Sequence, residues 1–85
     1  MLSQASNLEV HAVPDGYIVY EPGRDRVHYL NKTAAIIFEL CDGKHGEDYI
    51  VAQVAKAYGL EPSPHEEVRS GIKALLNEGL VTSSK

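Results

Sequence analysis

The stretch RVHYLNKTAAIIFELCDG, residues 26–43, decides how the chain folds. It opens on a short β-forming run, Val27, His28, Tyr29 and Leu30, in which successive side chains point to opposite faces of a sheet. Asn31 follows, and its side-chain oxygen can accept a backbone N–H and so begin a helix. Ala34, Ile37, Phe38 and Cys41 then recur at the i, i+3, i+4, i+7 spacing of one helical face. Gly43 supplies the stop. The hydrophobic period therefore changes from strand to helix at Asn31.

Outward toward the N-terminus the pattern is strand-like. Residues 17–21 hold the β-formers Tyr17, Ile18, Val19 and Tyr20, joined to residues 26–30 by the turn Pro22-Gly23-Arg24-Asp25. Residues 8–13 alternate Leu8, Val10 and Ala12 against Glu9, His11 and Val13, and Pro14-Asp15-Gly16 closes the hairpin. Three strands with tight turns make an antiparallel meander. Residues 1–7 are polar and aperiodic and are expected to fray, leaving one domain over residues 8–82.

Toward the C-terminus the pattern is helical. A second helix is expected from about Glu47, with Ile50, Val51, Val54 and Tyr58 as its apolar stripe and Gly59 as its end. A third has Ser63 as N-cap, Pro64 at the first helical position and Glu66 completing a capping box. Its stripe is Val68, Ile72, Leu75 and Leu76, and Gly79 ends it. Gly71 within it costs about 1 kcal/mol relative to alanine, which close packing would explain. Leu80 and Val81 seal the core before a polar tail. The class is α+β: an N-terminal three-stranded antiparallel sheet followed by three helices, a winged helix-turn-helix-like arrangement.

Composition narrows the function. The chain has 85 residues, 44% of them hydrophobic, enough for one modest core. Eight Lys and Arg stand against twelve Asp and Glu, a net charge of −4, whereas nucleic-acid affinity comes mostly from cations. One cysteine, Cys41, excludes an internal disulfide and fits a reducing cytoplasm; on an apolar helical face it is expected to be a buried, inert thiol. No apolar run is long enough for a membrane span, and the protein reads as soluble. His11, His28, His45 and His65 lie on four different elements with no short-spaced ligand pair, so no metal is expected. Without a phosphate loop, nucleophile elbow or acid–base pair, no cofactor and no catalysis are expected either.

One resemblance gives these elements a purpose. Leu30-Asn31-Lys32-Thr33-Ala34-Ala35-Ile36-Ile37, followed by Leu40-Cys41-Asp42-Gly43, resembles the central signature of PqqD-like proteins. These are named for the pyrroloquinoline quinone (PQQ) pathway, and the same domain is the RiPP recognition element of ribosomal peptide natural-product pathways. Gly16 before a β-rich run, and Leu76 with Gly79-Leu80-Val81, match the outer landmarks, so the resemblance spans residues 8–81. It implies a carrier that binds the leader segment of a precursor peptide as an added strand along the third strand, against the third helix. The carrier presents that leader to a modifying enzyme, often a radical-SAM protein.

By position, the peptide-binding residues on the strand would be Arg26, Val27, His28, Tyr29 and Leu30. On the helix, Val68, Ile72 and Leu76 would form an apolar wall, and Arg69 and Lys73 a cationic rim that favours a guest with a carboxylate. Two other functions fit the same layout. A DNA-binding winged-helix regulator would read with the third helix, although Glu66, Glu67 and Glu78 accompany its cations. A self-associating module would pair third strands of two copies across a twofold axis.

Overall fold

A computed structural model describes residues 1–59 and 64–83. Five strands and three helices follow one another in the order β1 (Leu2–Gln4), β2 (Glu9–Val13), β3 (Gly16–Glu21), β4 (Arg26–Asn31), α1 (Lys32–Leu40), α2 (Glu47–Tyr58), α3 (His65–Asn77) and β5 (Val81–Ser83). β2, β3 and β4 form an antiparallel sheet in that order, and β1 pairs with β5. The α+β layout expected from the sequence, a meander and then three helices, is the one observed.

The meander depends on Gly16. Its φ is +147°, and a Cβ there would lie 1.8 Å from the Leu30 carbonyl oxygen on β4. Only glycine lets β3 and β4 approach at that point. At the same end of β4, the Asn31 side chain accepts from the Ala34 N–H at 2.9 Å and starts α1 without a loop. The strand and the helix are thus rigidly joined.

The helices cover the inner face of the sheet. Val19 and Leu30 from the sheet meet Ile37 and Phe38 of α1, Ile50, Val51 and Val54 of α2, and Val68, Ile72 and Leu75 of α3 in one buried cluster. Gly71 permits the close approach of α3 to α1, since a methyl there would come within 2.7 Å of Ile37 Cδ1. Cys41 is fully buried, and its Sγ–H donates to the Ile37 carbonyl at 3.2 Å. Burial pushes its pKa up to about 11, so the thiol is inert at neutral pH.

Several details differ from the sequence reading. Residues 2–4, expected to fray, form β1: Leu2 is buried, its N–H donates to the His45 carbonyl at 3.1 Å, and its carbonyl accepts from Gly43 at 2.8 Å. Three residues are too few to show a period, so one core leucine and backbone bonds do what no pattern announces. Likewise Thr82 and Ser83, the start of the expected polar tail, pair with β1 as part of β5, behind the buried Val81. Tyr58 and Leu76, both assigned to apolar stripes, are exposed. The Ser63 cap lies outside the described residues, and α3 begins at His65 with Pro64 in the capping position.

Candidate functional site

Among the described residues β4 is paired in the sheet with β3 alone, so its other side is an edge. Which of its amides are open follows from the β2–β3 hairpin. Val13 and Gly16 pair across a two-residue turn, a geometry in which that pair must exchange both hydrogen bonds. Alternation then directs the amides of Gly16, Ile18 and Tyr20 toward β2 and those of Tyr17, Val19 and Glu21 toward β4. Their partners Leu30, His28 and Arg26 are thereby satisfied, and Val27 and Tyr29 present their N–H and C=O groups outward, while the Asn31 carbonyl serves α1 as its N-cap.

Beside this edge runs a groove of about 500 Å³ between β4 and α3. The strand contributes residues from Val27 to Asn31. The helical side is Gly71, Ala74, Leu75 and Glu78, at the i, i+3, i+4, i+7 positions of one α3 face. Ala34 of α1 and Leu80 complete the lining. Small side chains at Ala34, Gly71 and Ala74 leave room that larger residues would fill.

A polar clamp closes one end. Arg26 donates to the Glu78 carboxylate at 2.8 Å, joining the start of β4 to the end of α3. Glu21 on β3 is buried and bonded to His28 Nε2 at 2.5 Å, with the Arg26 and Arg24 guanidiniums at 3.5 and 3.7 Å. The hydrogen bond from His28, aided by the two arginines, holds the Glu21 carboxyl below the usual glutamate range. His28 Nδ1 also lies 3.6 Å from Glu78. The clamp therefore spans sheet and helix at one end of the groove.

The strand residues singled out from sequence all lie on β4, Leu30 and His28 turned inward and Val27 and Tyr29 outward. The helix residues require correction. Val68 and Ile72 are core, 0% and 4% exposed, and do not line the groove. Arg69 reaches α2, where its guanidinium meets Glu47 at 3.1 Å. A helix turns about 100° per residue, so 69, 73 and 76 lie on the side of α3 opposite the Gly71–Ala74–Glu78 line. Arg69 and Lys73 thus form no rim to this groove. Sequence reasoning missed Gly71, Ala74 and Glu78 as its wall and Glu21 as the partner of His28. The one available signal was a glycine and an alanine three apart beside an apolar stripe.

With the site's geometry in hand, known proteins offer a test. Residues 16–81 match the family described as coenzyme PQQ synthesis protein D (PqqD). The chain belongs to the PqqD family. A relative from Methylococcus capsulatus, described as a PqqA binding protein, is 32% identical over 83 residues, covering 94% of this chain and 83% of the relative. The solved structure of TbiB1 in complex with the TbiA(beta) leader peptide has the same fold, with a TM-score of 0.80 at 15% identity and 98% of each chain covered. The PqqD-family match takes in β3, β4, all three helices and Val81, and so includes every element that lines the groove.

Proposed function

We propose that this PqqD-family protein is a non-catalytic carrier. It takes the leader segment of a ribosomally made precursor as a further strand on β4, holds it against α3, and presents it to a modifying enzyme of the radical-SAM kind in the cytoplasm. The observation that carries this reading is the unpaired edge of β4 beside a groove walled by Gly71 and Ala74. Main-chain pairing supplies affinity with little demand on sequence, and the groove selects side chains. The guest is a PqqA-type peptide, the class named for the Methylococcus relative; the leader peptide bound to the similarly folded TbiB1 supports a leader segment as the guest.

The expected affinity is moderate. Each apolar anchor buried in the groove contributes roughly 1.5–3 kcal/mol. Ordering a flexible leader opposes this by about 2–5 kcal/mol. Two or three anchors with the edge hydrogen bonds give a Kd of order micromolar, about −8 kcal/mol. That suits a carrier that must also release its guest. No helix among the described residues is long and apolar enough to cross a membrane.

Isothermal titration with synthetic PqqA tests the proposal. The expected result is micromolar binding that Ala74→Arg, which fills the groove from an exposed position, weakens by more than about thirtyfold with little change in melting temperature. Binding that Ala74→Arg leaves intact would place the guest elsewhere.

A further inference from the structure

The outer face of β4 is not built like the solvent side of an ordinary sheet. An antiparallel sheet with one face in water alternates apolar inward with polar outward. Here Val27 is 65% exposed and Tyr29 57%. Their cross-strand partners on β3 are Tyr20 and Ile18, so the apolar surface continues inward across two strands. Tyr29 is also held in place: its hydroxyl donates to the Asp15 carbonyl at 3.2 Å, tying the ring to the β2–β3 turn. Tyr20 donates likewise to Asp25 Oδ1 at 3.2 Å.

Val27 and Tyr29 are also the residues whose amides face outward. A strand that takes up those amides places its own residues directly opposite them, with side chains on the same face and Cβ atoms roughly 5 Å apart. This holds whether the guest runs parallel or antiparallel to β4. The intervening guest residues turn inward, toward Leu30, Ala34, Gly71 and Ala74. No guest on this edge can reach the groove without also covering Val27 and Tyr29.

We propose that the guest is read on both of its faces. Inward side chains fill the groove, and outward side chains pack on Val27 and Tyr29. The recognised segment therefore carries apolar or aromatic residues at consecutive positions, rather than apolar residues alternating with polar ones. This rests on strand addition at β4 and specifies the chemistry of the peptide that adds.

The test is a displayed library of random nine-residue peptides, selected on the full chain and on two variants. In the first variant, Val27→Thr with Tyr29→Thr, threonine keeps the strand propensity and removes the apolar surface. The second is Ala74→Arg. The intact protein should recover peptides with apolar residues at both odd and even positions of a short core. The double variant should recover apolar residues at one parity only. It should also bind the peptides selected on the intact protein roughly five- to tenfold more weakly.

Strictly alternating peptides from the intact protein, or a Kd within twofold in the double variant, would overturn the two-faced reading while leaving strand addition standing. Peptides recovered equally by Ala74→Arg would place binding away from β4 and overturn both. A dimer in light scattering that the double variant dissolves would assign the outer face to a second copy and also overturn the inference.

Discussion

β2 and β4 are the two outer strands of one sheet, and they are finished differently. Each leaves half of its backbone groups unpaired. On β2 the outward side chains include Glu9 and His11, which approach each other at 3.9 Å. Charged side chains on an edge oppose the docking of another strand. On β4 the corresponding positions are Val27 and Tyr29, and nothing on that face repels an extended chain. A hollow alone does not mark an edge as receptive, because an apolar one of about 510 Å³ also lies between β2 and α1, bounded in part by Ala12, Tyr17, Ile36 and Leu40. The lesson lies in the combination on β4: open amides, an uncharged outer face, and a helical wall of small residues.

Proline scanning can break this comparison, and the largest effect should come from His28→Pro. The His28 N–H points at β3, so proline removes a ladder bond and should cost about 3 kcal/mol or more, seen as a large fall in melting temperature. A variant that melts normally would reverse the assignment of open and satisfied amides. Next come Tyr29→Pro and Val10→Pro, a matched pair that removes an outward donor from β4 and from β2 respectively. Both should fold, since proline is tolerated where an edge N–H faces solvent. Tyr29→Pro should weaken PqqA binding by roughly tenfold or more, from a lost hydrogen bond and lost side-chain contact. Val10→Pro should leave it within twofold, and equal losses would erase the distinction between the edges.

Acid sharpens the comparison, because only β4 carries the clamp. The Glu21 carboxyl is held below its ordinary range by His28. Its contribution is therefore fully present above the ordinary glutamate pKa and is lost as pH falls through the lower folded value. Between about pH 5 and pH 2 the melting temperature of the intact protein should fall more steeply than that of Glu21→Gln. Parallel curves would show that the clamp adds nothing to stability. The smallest effect is expected from Arg69→Glu with Lys73→Glu, on the far side of α3. Peptide affinity should change by less than twofold, and stability by under about 1 kcal/mol from the exposed pair with Glu47.

The meander and helices were legible because their signals are local. The Asn31 cap, the turn at Pro14-Asp15-Gly16 and the stripe of Ile50, Val51 and Val54 each act within a few residues. β4 as the candidate site strand was legible through the resemblance and its place at the end of a meander. The helical wall was not, because it depends on the rotation of α3 about its own axis. Val68, Ile72 and Leu76 share an apolar character, but the core claims the first two and solvent the third. The groove is defined by what Gly71 and Ala74 leave empty, and small residues give no hydrophobic signal. Glu21 and His28 sit on different strands, and only the register brings them together.

The pairing of Leu2 with Ser83 has a mechanical consequence. Pulled apart from these two positions, the molecule would unzip one bond pair at a time along β1 and β5, rather than shear all the rungs at once. Once that ladder has opened, the load passes next to β2, which residues 5–8 join to β1, and to α3, which precedes β5. Neighbouring entry and exit points also let such a unit be spliced into a loop of a larger host with little loop-closure penalty.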